Sequence, residues 1–253
     1  MMNQPHSTPT DLIETSTTRK IWRLLNGTAR FSQFAFMFGP TGRGKTFAAK
    51  AWLRNYGNGA YIYAEPRASQ AGLRRALSAA IWDDETASTS AIRKHIEQHP
   101  GFVLVVDECN HLISNTSGSG ANALDSIRSY YDMIHDAGGR MGVCFIFTDY
   151  SLDRLRKCRM AAFLEQFIHR GDNHLNLTGK ISRSREVAPL VQSLIPYADD
   201  ALIDAAAAIG NIRSICKRIT VLRELADKRG IQITAKMLAG AQAQFESGIW
   251  EDE

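Results

Sequence analysis

Cysteine and long apolar runs are both scarce in this chain of 253 residues. Its four cysteines (Cys109, Cys144, Cys158 and Cys216) are widely separated and form no CxxC pair, so their spacing supports neither a zinc site nor a disulfide framework. No apolar stretch approaches the ~18 residues that a membrane-spanning helix needs, and the polar opening "NQPHSTPTD" contains no apolar core of a signal sequence. We therefore expect reduced thiols, no membrane partner and a cytoplasmic location.

Neither positive nor negative charge is in strong excess. Charged residues make up 22% of the chain, and the formal net charge is +4. This small basic excess is compatible with a polyanionic partner if the arginines gather on one face, and equally with a solvated surface. A hydrophobic content of 44% is near the usual globular balance and excludes a fibrous or wholly disordered chain.

Short apolar segments alternate with longer amphipathic ones as far as about residue 180. The apolar segments predict strands at 34–38, 60–64, 102–106, 142–147 and 174–177. Most of them are apolar almost throughout, as strands covered on both faces must be. Because helical patterns lie between them, the sequence predicts an α/β fold with a parallel sheet between layers of helices.

The rest of the chain has a different pattern. Beyond residue 180 only helical patterns occur, with breaks at Pro196, Gly210 and Gly230. We expect a mobile segment over 1–19, an α/β domain over 20–180 and a small helical lid domain over 181–253. A short helix near the start of the α/β domain is expected to stop at Asn26-Gly27.

A glycine-rich turn lies between the first predicted strand and the helix that follows it. In "GPTGRGKT" the glycines precede Lys45 and Thr46 with the spacing of a phosphate-binding loop. Such a loop points backbone N–H groups at phosphate oxygens, while Lys45 brings positive charge to the β and γ phosphates and the Thr46 hydroxyl can coordinate Mg²⁺. The predicted nucleotide-binding residues are Gly39, Pro40, Thr41, Gly42, Arg43, Gly44, Lys45, Thr46 and Phe47.

Two adjacent acids end the third predicted strand, at the edge where open parallel sheets collect their ligands. Asp107 resembles the Walker B aspartate, which holds Mg²⁺ through water, and Glu108 is placed to polarise an attacking water. Acids at the end of a buried strand are costly unless a cation or water meets them. The pair therefore indicates nucleotide hydrolysis as well as binding, with Thr46 and Asp107 as the metal residues.

Two further segments resemble the sensor motifs of AAA+ ATPases. Thr148 and Asp149 follow the fourth strand, where sensor 1 contacts the γ phosphate or the catalytic water, and "GNIRSICKRI" resembles sensor 2 with Arg213 turned to the nucleotide. With the phosphate loop and the Asp-Glu strand end in the same order, residues 20–245 resemble an AAA+ ATPase. This resemblance implies ATP and Mg²⁺ as cofactors and a homo-oligomer that completes each active site.

Within that superfamily the chain resembles the DNA-transposition ATPases typified by the phage Mu target-DNA activator, and the target-selection ATPases of bacterial transposons. The segment "GAYIYAEPRASQAGLRRALSAAI", the short lid and the lack of a visible protease, helicase or metal module carry this likeness. It implies a ring or helical filament on double-stranded DNA that selects a target and activates a partner transposase. The host would be a bacterial or phage-infected cell.

Arginines supply the remaining candidates. In AAA+ enzymes an arginine from a neighbouring copy reaches the γ phosphate, and Arg154, Arg156, Arg159 and Arg170 lie in the matching segment, with Arg170 the first choice. Candidates for DNA contact are Arg67, Arg74, Arg75, Arg154, Arg156 and Lys157, and each can equally belong to a solvated face. Two other functions stay open: a nucleotide-gated protein-remodelling or regulatory switch, and a helicase loader.

Overall fold

A computed structural model of the chain describes residues 13–65, 69–113, 119–148, 165, 173–177 and 179–247. Its strands are β1 (Phe34–Phe38), β2 (Gly59–Tyr63), β3 (Phe102–Asp107), β4 (Met141–Phe147) and β5 (Asn173–Asn176). The helices up to residue 136 are α1 (Ser16–Phe31), α2 (Lys45–Tyr56), α3 (Gln70–Trp82), α4 (Thr89–Gln98), α5 (Asn110–Ile113) and α6 (Ser119–Asp136). The C-terminal part contains a π-helical turn (Arg183–Val187) and helices α7 (Ala188–Leu194), α8 (Asp200–Ile209), α9 (Ile212–Arg229) and α10 (Ala235–Ser247).

The five strands form one sheet in the order β2-β3-β4-β1-β5, and every neighbouring pair is parallel. This confirms the predicted α/β fold, and each predicted strand matches within one residue at either end. Every side chain of β1, β3 and β4 is buried, as their continuous apolar sequence requires. Since all strands run the same way, the segments that follow β1, β3 and β4 lie at one edge of the sheet.

The two faces of the sheet have separate cores because successive side chains of a strand point to opposite faces. On one face Phe34, Phe36 and Phe38 join Phe145 and other buried residues of β3, β4, α3, α4 and α6. The Phe36 and Phe145 rings are stacked with centroids 5.6 Å apart. On the other face the alternate strand residues pack against α1 and α2. The sheet is therefore covered on both sides.

Polar side chains mark where several helices begin. A cap accepts a hydrogen bond from a backbone N–H of the first helical turn, which satisfies a donor that has no partner inside the helix. The caps of α3, α4, α8 and α9 are Ser69, Ser88, Asp199 and Asn211.

Glycines end two of the C-terminal helices. Gly210 and Gly230 have φ angles of 71° and 64° and directly follow α8 and α9, a conformation in which glycine carries no steric penalty. Helix α7 ends before Pro196. The predicted helical C-terminal region and its three breaks are confirmed.

Two expectations near the start of the described chain were wrong. Helix α1 begins at Ser16, so the last residues of the predicted mobile segment are helical, and it continues through Asn26-Gly27 to Phe31. Tertiary contacts explain the continuation: Trp52 Nε1 donates a 2.8 Å hydrogen bond to Asn26 Oδ1. A Cβ atom at Gly27 would lie 2.8 Å from Asn173 Nδ2, so packing selects glycine there without ending the helix.

The described residues divide into two compact units. One contains residues 13–19, 42–44 and 179–247, and the other contains the sheet, over residues 20–41 and 45–177 with the gaps stated above. Residues 42–44 are the tip of the phosphate loop, so this tip groups with the C-terminal helices.

None of the helices in the described residues is long and apolar enough to cross a membrane.

Three of the four cysteines lie in the described part of the chain, and each is a free thiol. Burial raises the pKa of Cys109 and of Cys144, which keeps both thiols protonated and unreactive. Cys158 lies outside the described residues.

Candidate nucleotide-binding and hydrolysis site

The phosphate loop connects β1 to α2, as the sequence predicted. Gly44 has a φ of +80°, a backbone conformation that L side chains rarely adopt, and α2 begins at the next residue. Its first turn presents backbone N–H groups without helical partners, which favours anions at this end. Phe47, also predicted to contact nucleotide, is half exposed in that turn.

The Lys45 side chain is folded under the loop. Its ammonium donates hydrogen bonds to the carbonyl oxygens of Gly39 at 2.6 Å and Pro40 at 2.9 Å, and the residue is only 6% exposed. A buried ammonium raises the local positive potential at the loop. Lys45 therefore lies within the loop, and its contact with phosphates stays a prediction.

Asp107 and Thr46 meet at the edge of the sheet. The Thr46 hydroxyl donates to Asp107 Oδ2 at 2.5 Å, and the backbone N–H of Glu108 donates to Asp107 Oδ1 at 2.8 Å. A hydroxyl and a carboxylate are oxygen donors of the type that Mg²⁺ prefers, and this ion usually takes few protein ligands because phosphate oxygens and water fill the rest. The donor set therefore fits the predicted metal site. In the described residues no group of three or more His, Cys, Asp or Glu side chains could hold a metal ion.

Glu108 is held by two polar neighbours. Its Oε2 atom accepts hydrogen bonds from Asn110 Nδ2 and from the Thr148 hydroxyl, both at 3.3 Å. Asn110 Oδ1 in turn accepts from the Thr148 backbone N–H at 2.8 Å. Glu108 also has a φ of 53°, which is unusual for a residue other than glycine and is a strained conformation of the kind that clusters at active sites. The predicted sensor residue Thr148 thus contacts the predicted catalytic acid.

Sequence reasoning missed two residues of this site, Tyr61 and Asn110. The Tyr61 hydroxyl donates to Asp107 Oδ2 at 2.8 Å, although the two residues lie on different strands. Burial, followed by the hydrogen bond to Asp107, raises the pKa of Tyr61, so its phenol stays protonated. The polar run "DECN" was a weak signal that Asn110 belongs to the site. Tyr61 had no such signal, because only the register of β2 and β3 places it beside Asp107.

The tip of the phosphate loop meets the start of α9 within the unit that contains both. The Arg213 backbone N–H donates to the Gly42 carbonyl at 3.4 Å. Gly42 has a φ of +78°, and a Cβ atom there would lie 2.2 Å from the Asn211 side chain, so no larger residue fits. The Arg213 residue is exposed. Its hydrogen bond to the tip of the phosphate loop is made by its backbone N–H.

Arg43, at the same loop tip, is buried and forms an ion pair. Its guanidinium lies 3.5 Å from Glu186 Oε1, and both side chains are less than 10% exposed. Glu186 also accepts hydrogen bonds from the Thr17 hydroxyl and, at 2.7 Å, from the Ser182 backbone N–H. Arg43 Nε has no hydrogen-bond partner among the described residues. No sequence pattern singled out Glu186.

Comparison with known families agrees with this geometry. Residues 30–155, which run from the end of α1 past β4, match the family described as AAA domain. This chain contains an AAA-type P-loop ATPase domain. No curated protein sequence matches it significantly.

The fold of the AAA domain and the helices after it is similar to that of several solved structures. The ORC2 protein of Aeropyrum pernix, solved as ADPNP–ADP complexes, aligns with a TM-score of 0.67 and 16% identity over 96% of this chain and 70% of that one. A Walker-type ATPase of Pyrococcus abyssi gives 0.66 and 14% over 97% and 75%. The AAA domain of FIGL-1 in complex with ADP gives 0.58 and 16% over 95% and 85%. At these identities the likeness concerns the fold alone.

Two of the residues predicted to contact DNA, Arg74 and Arg75, lie in the described part of the chain. The Arg74 guanidinium donates to the Ala87 carbonyl, which ties α3 to the segment before α4, while Arg75 is exposed. The remaining predicted residues lie outside the described residues, namely Arg67, Asp149, Arg154, Arg156, Lys157, Arg159 and Arg170.

Proposed function

We propose that this protein binds ATP with Mg²⁺ and hydrolyses it to ADP and phosphate. The observation that carries this proposal is the contact of Thr46 with Asp107 at 2.5 Å, with Glu108 directly after it and a phosphate loop before it. Solved structures of the same fold that contain ADP or ADPNP support the nucleotide class. Thr46 and Asp107 would hold Mg²⁺, which neutralises charge that develops on the phosphates.

Each remaining residue has a role that follows from its chemistry. Lys45 lies under the loop and offers a positive charge to the phosphates. Glu108 accepts a proton from the attacking water, as a carboxylate within reach of a water can. Asn110 and Thr148 hold the Glu108 carboxylate in one orientation, which preserves the geometry that proton transfer requires. Arg213 and, from a neighbouring copy, Arg170 are proposed to stabilise the γ phosphate.

The direct test is phosphate release by the purified chain. We expect turnover of ATP to be at least about 10²-fold faster with Mg²⁺ than with a chelator, since the ion stabilises charge by several kcal/mol. A colorimetric phosphate assay would measure it. If the chain took up no nucleoside triphosphate with magnesium present, the proposal would be wrong.

We further propose that ATP drives assembly of this protein on double-stranded DNA, as a ring or helical filament that selects target DNA and activates a partner transposase. The support is the resemblance of the segment "GAYIYAEPRASQAGLRRALSAAI" and of the short lid to transposition ATPases, the net charge of +4 and the exposed Arg75 on α3. A remodelling switch or a helicase loader would use the same ATP site, so only partner binding separates these functions.

The prediction is that a non-hydrolysable ATP analogue, but not ADP, supports duplex DNA binding that weakens steeply as salt rises. Arg75→Ala should lower the slope of log K against log salt by about 1, since each neutralised phosphate contributes roughly 0.9. Arg54→Ala, an exposed arginine at the end of α2, is the matched control and should leave the slope unchanged. Electrophoretic shifts and negative-stain images would report both. Salt-independent binding, or none with the analogue, would contradict a DNA role and favour a remodelling switch.

A further inference from the structure

Three donors surround the carboxylate of Asp107. Oδ2 accepts from the Tyr61 hydroxyl at 2.8 Å and from the Thr46 hydroxyl at 2.5 Å, while Oδ1 accepts from the Glu108 backbone N–H at 2.8 Å. A carboxylate has about four acceptor positions. One acceptor position therefore remains, which a water bound to Mg²⁺ would fill. The other three hydrogen bonds fix the orientation of the carboxylate.

Tyr61 differs from the other two donors in the element of the fold on which it lies. Thr46 lies in the first turn of α2 and Glu108 is the next residue in the chain, whereas Tyr61 lies on β2, which pairs with β3 so that Tyr61 is opposite Val105. Its side chain packs with the core on the sheet face that α1 and α2 cover. The hydroxyl thus reaches Asp107 from the neighbouring strand of the sheet.

Lys50 contacts the Tyr61 ring through its ammonium group. Its ammonium lies 4.2 Å from the ring centroid, a favourable cation–π distance. Lys50 follows Thr46 by one turn of α2, so the two residues share one helix face and converge on the Tyr61–Asp107 pair. The ring is therefore restrained by α2, the helix that carries the proposed metal-binding hydroxyl.

We propose that Tyr61 is a positioning residue for the Mg²⁺ site, which holds Asp107 in the orientation that receives the hydrated ion together with Thr46. This inference rests on the proposed function, because it assigns Tyr61 to the same metal site. A phenol suits the role since its hydroxyl supplies one donor proton, and its hydrogen bond to a carboxylate is stronger than one between neutral groups.

The test is Tyr61→Phe, which keeps the ring and its contact with Lys50 and removes only the hydroxyl. We expect the Mg²⁺ concentration that half-saturates nucleotide binding to rise about five- to tenfold, since one hydrogen bond to a charged group is lost. Binding of a fluorescent ATP analogue in chelator should change by less than about twofold. Both are equilibrium titrations that need no turnover, so failure of hydrolysis and failure of this inference are distinguishable.

Tyr63→Phe is the matched control. Tyr63 lies two residues further along β2, is half exposed, and contacts the His111 ring edge-on at 5.8 Å. The Tyr63→Phe variant should leave the Mg²⁺ concentration that half-saturates nucleotide binding unchanged. Equal Mg²⁺ dependence in Tyr61→Phe and the wild type would overturn the proposal. So would an equal loss of nucleotide binding with and without Mg²⁺, because that result indicates a packing role.

Discussion

Glu108→Gln is expected to lower the rate of ATP turnover by about 10²–10³-fold while nucleotide affinity changes by less than about twofold. Glutamine has the size of glutamate and keeps an amide oxygen that can accept from Asn110 and Thr148, but it cannot accept a proton from water. The loss should therefore appear in kcat. Steady-state phosphate release and equilibrium binding of a fluorescent nucleotide measure the two quantities separately.

The control for this substitution is Glu85→Gln. Glu85 is exposed in the segment between α3 and α4, so the same chemical change there should leave turnover within about twofold. The variant Glu108→Gln should also prolong the lifetime of any ATP-dependent assembly, because the hydrolysis step that would release it is slow. Normal turnover by Glu108→Gln would show that another group accepts the proton and would remove Glu108 from the proposed mechanism.

Glu186→Gln is expected to reduce the free energy of unfolding by about 3 kcal/mol. The substitution leaves the Arg43 guanidinium buried without its counter-charge, and breaking a buried ion pair from one side costs about 3–5 kcal/mol. For a chain of this size the midpoint of thermal unfolding should fall by roughly 6–12 °C. Differential scanning calorimetry without nucleotide measures the change.

Two further variants sharpen this prediction. Glu224→Gln on α9 makes the same change at an exposed position and should shift the midpoint by less than about 2 °C. The double variant Arg43→Met with Glu186→Leu removes both charges and should recover much of the stability, because well-packed apolar residues often replace a buried pair without loss. If the single variant melted like the wild type, the ion pair would not contribute to stability.

Much of the fold could be predicted from the sequence because its signals are local. The strands are short apolar runs between helical patterns, and they end within a residue of the predicted positions. The phosphate loop and the Asp107-Glu108 pair were recognisable because glycine, lysine and acids at fixed spacing have few other uses at the end of a buried strand. Helix stops at Gly210 and Gly230 follow from one conformational property of glycine.

The same local reasoning failed where a distant residue changes the outcome. Asn26-Gly27 resembles a helix stop, yet α1 continues because Trp52 bonds the Asn26 side chain. There a contact with a residue outside the local segment outweighs a weak intrinsic preference. Arg74, which stays a candidate for DNA contact, also donates a hydrogen bond to the Ala87 carbonyl, and the spacing of arginines does not predict that bond.

By itself, the sequence determined the parallel α/β architecture, the helical C-terminal part and the proposed phosphate-binding and metal-binding residues, since periodicity and motif spacing encode the fold and point to the site. Only the tertiary structure decided that Tyr61 bonds Asp107, that Asn110 and Thr148 hold Glu108, and that Glu186 neutralises Arg43. These pairs are between 2 and 143 residues apart along the chain. Strand register and helix packing bring them together, and neither leaves a local pattern because the partner of a polar side chain is set by geometry in three dimensions.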